Sequence, residues 1–242
     1  MLLAYVKSDI GLVRETNEDS YVFVPPHLFL VADGMGGHVA GEVASSVAAN
    51  AVKNFVQQNI ATAAPGLVLE QAIMHANALI FQMALEKNEY SGMGTTMTAV
   101  YIMEDTIYWA HVGDSRFYLL KNDPKTIYQI TNDHSLVWEL MQNGNITAEE
   151  AKIHPQRNML TRAVGTSFDI KVDTGITTWE SGDIILLCTD GLTNMVSEQT
   201  FCQLFLTGTA INQQSLDILI AEAKQAGGTD NITAVITQHG TV

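Results

Sequence analysis

Short apolar stretches rich in β-branched and aromatic residues are the feature that most constrains the fold of this chain. Tight turns such as Glu104-Asp105 separate several of them, and short connections of this kind join strands that run antiparallel. The strand-forming stretches are residues 3–7, 21–32, 95–130, 170–189 and 232–237. The chain is therefore predicted to be built on antiparallel β-sheet.

Helical periodicity fills the gaps between some of these stretches. Apolar residues recur at helical spacing in 41–58 and 67–86, and 215–226 is amphipathic. Strands that cluster apart from long helices are typical of an α+β layered domain. Proline and glycine are spread along the chain, and we find no low-complexity linker or fixed-period repeat in it. Residues 1–242 are therefore predicted to form a single domain.

The charge balance limits the partners that this chain can bind. Lysine and arginine number 12 against 26 aspartate and glutamate residues, which gives a formal net charge of −14. Nucleic acids and anionic membranes are bound by clusters of basic residues, so neither is expected as a main partner. Hydrophobic residues make up 47% and charged residues 16% of the chain, a composition that excludes intrinsic disorder.

The termini and cysteines favour a protein of the reducing cell interior. The first residues lack a cationic segment followed by a long apolar run, so no signal peptide is predicted, and no apolar run is long enough for a bilayer span. Only Cys188 and Cys202 are present, without metal-type spacing. We therefore expect a cytoplasmic protein without a membrane anchor.

Aspartates recur at the ends of predicted strands. Three apolar strands run into Asp33, Asp114 and Asp190, each followed by a small residue, and Asp230 precedes the last strand. Asp19 and Asp33 each lie seven residues from Pro26, so a hairpin that turns there would place their carboxylates side by side. A strand that ends near Asp190 and one that begins near Asp230 would likewise meet if they are antiparallel.

Two interpretations of these aspartates are open. Aspartate is a common turn residue, because its side chain bonds to nearby backbone, and each position taken alone fits that role. Carboxylates gathered at one place, however, repel one another unless they are protonated or bind cations. An all-oxygen cluster selects hard divalent ions such as Mg²⁺, Mn²⁺ or Ca²⁺. The EF-hand pattern is absent, so a multi-metal catalytic centre assembled from distant segments is predicted instead.

Eight ordered motifs resemble the metal-dependent protein phosphatases, the type 2C Ser/Thr phosphatases, and most closely their compact bacterial form. The motifs extend from Arg14 to the last strand and so span nearly the whole chain. They are Arg14-Glu15-Thr16-Asn17-Glu18-Asp19-Ser20, Asp33-Gly34-Met35-Gly36-Gly37-His38, Gly94-Thr95-Thr96, Val112-Gly113-Asp114-Ser115-Arg116, Asp133-His134-Ser135, Leu160-Thr161-Arg162-Ala163-Val164-Gly165, Cys188-Thr189-Asp190-Gly191-Leu192 and Gly228-Thr229-Asp230-Asn231-Ile232-Thr233. The resemblance implies a four-layer α-β-β-α sandwich with two central antiparallel β-sheets.

The resemblance also implies a centre that holds two Mn²⁺ or Mg²⁺ ions. Asp33 is expected to bridge both ions and the Gly34 carbonyl to bind one of them. Asp190 and Asp230 are expected to bind the other ion. Asp114, together with Asp190, is expected to form a third and weaker ion site.

Three further residues receive catalytic roles from the same resemblance. Asp19 is expected to hold a water bound to a metal ion, and so counts among the metal-binding residues as well. Arg14 is expected to clamp the phosphate, since its planar guanidinium matches two phosphate oxygens, although a solvated surface arginine is the alternative. His38 could protonate the departing oxygen or orient a water, or it could simply bond to backbone at the start of a helix.

The implied function is that of a protein Ser/Thr phosphatase. A hydroxide held between two divalent ions would attack phosphoserine or phosphothreonine in a phosphorylated protein, and a Ser/Thr kinase of the same cell would be its counterpart. A monomer is expected. Residues 143–168, long and polar with a local excess of basic residues, are predicted to form a flap that contacts phosphopeptide. The alternatives are a catalytically weak relative that acts as a regulatory binding module, and a small-molecule phosphatase with the same chemistry.

Overall fold

Two antiparallel β-sheets form the centre of the molecule. A computed structural model describes residues 2–36, 38–206 and 210–240 of the chain. The strands are β1 (Leu3–Asp9), β2 (Asp19–Val24), β3 (Leu28–Met35), β4 (Gly94–Thr95), β5 (Met97–Met103), β6 (Thr106–Val112), β7 (Arg116–Lys121), β8 (Thr126–Gln129), β9 (Asp173–Thr178), β10 (Ile184–Cys188) and β11 (Ile232–Gln238). One sheet has the order β1-β11-β10-β7-β8, and the other has the order β2-β3-β5-β6-β9 with β4 paired to β3.

Helices cover the outer faces of both sheets. The helices of the described segments are α1 (His38–Asn59), α2 (Pro65–Glu86), α3 (Leu136–Gln142), α4 (Ala148–Ile153), α5 (Asp190–Thr193), α6 (Glu198–Phe205) and α7 (Gln213–Gln225), of which α1, α2, α6 and α7 pack on the sheets. Side chains of Ser135, Ser197 and Asn212 cap the N-termini of α3, α6 and α7, and Pro65 occupies the first turn of α2. None of the helices in the described segments combines the length and hydropathy that a bilayer crossing requires.

Three apolar clusters separate the four layers. The first lies between α1 and α2 and the β2-β3-β5-β6-β9 sheet, and it includes Val52, Ile73 and Met97. The second lies between the two sheets and is built around Phe29 and Trp179. The third packs α6 and α7 on the other sheet. The predicted four-layer α-β-β-α sandwich is therefore confirmed.

The hairpin predicted around Pro26 is present. β2 and β3 pair antiparallel, with Asp19 directly opposite Asp33. β10 and β11 also pair antiparallel, with Cys188 opposite Ala234, and this register brings the segments that carry Asp190 and Asp230 to the same sheet edge. Both edge arrangements that the strand patterns predicted are thus observed.

Short helices are the main feature that periodicity missed. The segment 143–168 contains α4, which begins at a capping box formed by Thr147 and Glu150, and α3 precedes it. Helices of six to eight residues, such as α4 and α6, offer too few turns for an apolar repeat to be recognised. Their caps, Ser135, Thr147 and Ser197, were the signals that could have located them.

Candidate metal centre

Backbone and hydroxyl contacts fix Asp33 at the end of β3. Its N–H donates to the Thr96 hydroxyl at 2.8 Å, and its carbonyl accepts the Thr96 N–H at 2.9 Å and the Thr95 hydroxyl at 2.9 Å. Both threonines are buried, at 0% and 2% exposure. Threonine is common in β-strands in general, whereas these two threonines hold the main chain of the central carboxylate.

Glycine at position 34 is required by close backbone packing. A Cβ atom there would lie 2.1 Å from the Gly41 carbonyl oxygen and 2.7 Å from that of Glu18. The Gly34 N–H donates to the Glu18 carbonyl at 3.1 Å. The turn after Asp33 is thereby pressed against the start of α1 and the residue before Asp19, so this glycine would be needed whether or not its carbonyl binds an ion.

Asp190 and Asp230 approach each other through a second close backbone contact. Asp190 is the first residue of α5 and lies two positions after β10, while Asp230 lies two positions before β11. A Cβ atom on Gly191 would be 2.0 Å from the Asn231 carbonyl oxygen. The Asp-Gly pair therefore lets the helix start lie directly against the segment that carries Asp230.

Asp114 joins this group from the β6-to-β7 turn. Gly113, which precedes it, has a φ of +110°, and a Cβ atom there would come within 2.6 Å of the Thr96 side chain. Burial and the carboxylates of Asp190 and Asp133 raise the pKa of Asp114 well above its usual range. Asp114 therefore lies close enough to Asp190 for the two carboxylate charges to interact.

Strand pairing sets Asp19 opposite Asp33, and the charges of the other carboxylates act on the same group. Burial and the charges of Asp19, Asp190, Asp114 and Asp230 raise the pKa of Asp33 well above its usual value. Burial raises the pKa of Asp190 as well, with a further contribution from Asp230. For Asp19 the pKa is raised to about 7, mainly by burial, although hydrogen bonds from Thr233 and Thr189 oppose the shift.

The donor set fits hard divalent cations. The Oδ1 atoms of Asp19 and Asp190 are buried and have no hydrogen-bond partner, an arrangement that is rare for carboxylate oxygens unless a cation or water completes it. Within the described residues, no group of three or more His, Cys, Asp or Glu side chains is already placed so that it could hold a metal ion. Mg²⁺-type ions usually keep several bound waters, which would complete the ligands that these carboxylates supply.

Arg14 lies at the rim of the cluster. Its Nη2 donates to Asp230 Oδ2 at 2.8 Å, and 48% of its side chain is exposed. Hydrogen bonding to Asp230, together with the nearby charges of Glu18 and Asp33, raises the pKa of Arg14. The guanidinium is therefore always charged, contacts a carboxylate of the cluster and remains open to a solvent-borne anion.

Asn231 and Thr189 position the site in ways that sequence reasoning missed. The Asn231 amide donates to the carbonyls of Ile10 and Thr16 at 3.0 and 2.9 Å, and its oxygen accepts the Glu18 N–H at 2.8 Å. The Thr189 hydroxyl donates to Asp19 Oδ2 at 2.9 Å. Their place beside Asp190 and Asp230 in the sequence was the one available signal.

A partly buried ion pair places a cationic side chain near the cluster. Arg116 bonds Asp133 in a bidentate manner, with Nε to Oδ1 at 2.9 Å and Nη2 to Oδ2 at 2.7 Å. Its charge lowers the pKa of Asp114 and Asp190, although burial and neighbouring carboxylates outweigh this effect. Asp133 is not the N-cap of α3, because Ser135 occupies that position.

His134 connects the Asp114 turn to the base of the flap. Its Nδ1 accepts the Gly113 N–H at 3.0 Å, so Nε2 is the protonated nitrogen that bonds Asp173 at 3.1 Å. Arg162 donates to the other Asp173 oxygen at 2.7 Å. Burial and Arg162 lower the pKa of His134, so the ring is neutral. This histidine is a buried structural link.

Two basic residues of the segment predicted to form a flap are engaged in ion pairs. Arg162 is engaged by Asp173, and Lys152 pairs with Glu149 at 2.9 Å, so neither is an unpaired cation. Arg157 is exposed and has no ion pair among the described residues.

Gly37 and the side chain of His38 lie outside the described residues, so the role predicted for His38 stays a prediction.

The fold and the site together define a class of protein: hydrolases that use divalent cations. The defining features are the two-sheet sandwich and the carboxylate cluster with an arginine at one edge. Comparison with known proteins gives the same class. A sequence model of the protein phosphatase 2C family matches residues 15–217. The chain is 37% identical over 243 residues to a serine/threonine phosphatase of Listeria innocua, covering 98% of this chain and 95% of that protein.

Solved structures of bacterial serine/threonine phosphatases have the same fold as this chain. The serine/threonine phosphatase PstP/Ppp of Mycobacterium tuberculosis superposes with a TM-score of 0.90 at 35% identity, covering 99% of both chains. A structure of the PstP catalytic domain in complex with two manganese ions gives a TM-score of 0.86 at 33% identity, covering 99% of each chain. This chain belongs to the protein phosphatase 2C family, as its motifs predicted.

Proposed function

We propose that this chain hydrolyses phosphoserine and phosphothreonine esters in proteins, using Mn²⁺ or Mg²⁺ held by the carboxylate cluster. The observation that carries the proposal is the convergence of Asp19, Asp33, Asp114, Asp190 and Asp230 at one edge, with two orphaned buried oxygens. Bound divalent cations would supply an activated water and would neutralise phosphate charge. In the proposed assignment Asp33 and the Gly34 carbonyl would hold one ion, Asp33, Asp190 and Asp230 would hold the second, and Asp114 with Asp190 would hold a third.

Residues around the cluster would bind the phosphate group of the substrate and orient the attacking water. All five carboxylates are partly exposed, so a phosphate on a protein surface can reach them. Arg14 would bind two phosphate oxygens and hold the ester against the cluster. Asp19, fixed by Thr189, would accept a hydrogen bond from the attacking water and orient it. His38 is proposed as the proton donor to the departing oxygen.

Further aspects of the function follow from the same assignment. Phosphorylated proteins are the proposed substrates and a Ser/Thr kinase the proposed counterpart, with the chain acting as a monomeric single domain. Residues 143–168 would act as a flap over the substrate, with Arg157 as its available cation. Cys188 and Cys202 are both free thiols, which accords with the proposed cytoplasmic setting.

Activity on matched phosphopeptides tests the proposed function. We expect phosphate release from phosphothreonine and phosphoserine peptides with Mn²⁺, loss of that release with EDTA, and its return when Mn²⁺ is added in excess. The same peptide with phosphotyrosine and a free nucleotide phosphate serve as controls and should be poor substrates. Release that persists in EDTA, or nucleotides hydrolysed faster than phosphopeptides, would contradict the proposal.

Replacement of Arg14 should separate substrate binding from chemistry. Arg14→Ala is expected to raise KM for a phosphothreonine peptide by about tenfold or more, because a charge-assisted pair of hydrogen bonds to phosphate is lost. Arg14→Lys keeps the charge without the planar fork and should give an intermediate KM. Steady-state kinetics at saturating Mn²⁺ measure both values. An unchanged KM with a reduced kcat would show that Arg14 does not hold the bound phosphate.

A further inference from the structure

Three large apolar side chains are exposed on the loop that carries Arg14. Ile10 is 38%, Leu12 is 61% and Val13 is 64% exposed. No other four consecutive residues in the described segments expose three large apolar side chains. Single exposed apolar residues are normal on protein surfaces, whereas a group of them beside a substrate site indicates a contact surface.

The loop is held in a fixed shape, so its apolar residues are presented rigidly. Asn231 ties the Ile10 and Thr16 carbonyls together, and the Leu12 N–H donates to the Gly228 carbonyl at 2.7 Å. At its start, the Gly11 N–H donates to Asp9, which is also bonded by Lys224. A preorganised surface loses little conformational entropy on binding, which favours its use in recognition.

Leu12 and Val13 lie next to the phosphate-binding side of the cluster. The Leu12 side chain covers Gly228, since a Cβ atom there would be 3.1 Å from Leu12 Cγ. Gly228 is two residues before Asp230, and Arg14, which bonds Asp230, is two residues after Leu12. An extended peptide advances about 3.3 Å per residue, so a side chain within two positions of a phosphorylated residue can reach this loop.

We propose that Leu12 and Val13 form an apolar contact surface for a substrate side chain within two positions of the phosphorylated serine or threonine. The proposal rests on the proposed function and adds to it a preference for phosphoproteins with an apolar residue in that window. A second copy of this chain is a poorer occupant. Three side chains supply far less than the roughly 800 Å² per partner of a stable interface, and a net charge of −14 makes the copies repel.

Paired phosphopeptides and a double variant test this surface. The peptides carry one phosphothreonine and either serine at all flanking positions or a single leucine at position −2, −1, +1 or +2. For the native chain we expect kcat/KM to be about fivefold higher for at least one leucine peptide than for the serine peptide. In L12S/V13S that ratio should fall to near one. Leu85→Ser, which removes a 73% exposed leucine from the end of α2, is the matched control and should keep the native ratio.

Several results would contradict the proposed contact surface. A native ratio near one for every leucine position overturns it, as does a ratio that survives in L12S/V13S. Thermal melting of the variants establishes that they fold, and V13S alone provides a milder change whose ratio should be intermediate. Concentration-dependent dimerisation that is lost in L12S/V13S would assign the loop to self-association instead. If the native chain releases phosphate from none of the peptides, the proposed function itself fails, and this is distinct from a lost preference.

Discussion

Asp33→Asn is expected to lower phosphopeptide turnover by about a thousandfold or more, equivalent to roughly 4 kcal/mol of lost transition-state stabilisation. Asp33 is the carboxylate that interacts with all four of the others, so its charge is central to any cation held by the cluster. The same variant should bind Mn²⁺ more weakly, as titration calorimetry would measure. Full activity in Asp33→Asn would show that the catalytic centre lies elsewhere.

The same substitution should stabilise the protein when divalent cations are removed. Asparagine keeps the shape of the side chain and can donate a hydrogen bond to Asp190, yet it removes one of several repelling charges. We therefore expect a higher melting temperature than that of the native chain in EDTA at neutral pH. A lower melting temperature would indicate that the Asp33 carboxylate stabilises the fold and is not a destabilising charge kept for function.

Asp183→Asn is the matched control for this prediction. Asp183 is 2% exposed, accepts a hydrogen bond from Lys121 at 2.6 Å, and lies at the opposite end of β10 from Asp190. Removing its charge leaves Lys121 without its buried partner, so the melting temperature should fall. Catalysis should remain, because this carboxylate is far from the cluster. The two variants are thus expected to shift the melting temperature in opposite directions, and only Asp33→Asn is expected to lose activity.

In the absence of divalent cations, stability is expected to fall as the pH rises from 5 to 8. Asp19, Asp33, Asp114 and Asp190 all have a pKa raised in the folded protein. They bind protons more tightly in the folded than in the unfolded chain. Their contribution to stability is complete below the ordinary carboxyl pKa near 4 and is lost as the pH passes the folded values. For Asp19, whose pKa rises from 3.8 to about 7, the loss is up to roughly 4 kcal/mol.

Carboxylates paired with cationic side chains determine the pH below which stability falls again. Asp173, bonded by Arg162 and His134, has a pKa lowered to about 2, and Asp9, bonded by Lys224, also has a lowered pKa. Their stabilisation is present above pH 4 and is lost in stronger acid. Melting curves in EDTA should therefore show a maximum near pH 4 to 5. Stability that is flat or rising from pH 5 to 8 would contradict the cluster.

Divalent cations should reverse the trend. A cation binds the ionised carboxylates and competes with protons, so the rise in melting temperature caused by saturating Mn²⁺ should be larger at pH 8 than at pH 5. Asp33→Asn should reduce both the decline in EDTA and the gain with Mn²⁺. These melting experiments do not depend on the identity of the substrate.

The amino-acid sequence by itself determined the layers and the catalytic family. Short apolar runs rich in β-branched and aromatic residues, with the turns between them, predicted the strands, and helical spacing predicted α1, α2 and α7. The position of Asp19 and Asp33 about Pro26 predicted their pairing, because hairpin register follows from turn position. Eight ordered motifs predicted membership of the phosphatase family. These properties depend on local patterns and are therefore readable along the chain.

Only the tertiary structure decided how the site is supported. Asn231 binding the loop of Arg14, Thr95 fixing the Asp33 carbonyl, and Arg116 pairing with Asp133 join residues that are distant in sequence or are common in other roles. The exposure of Leu12 and Val13 likewise depends on what packs around them. Such contacts follow from the three-dimensional packing of separate segments, and no local periodicity records which segments meet.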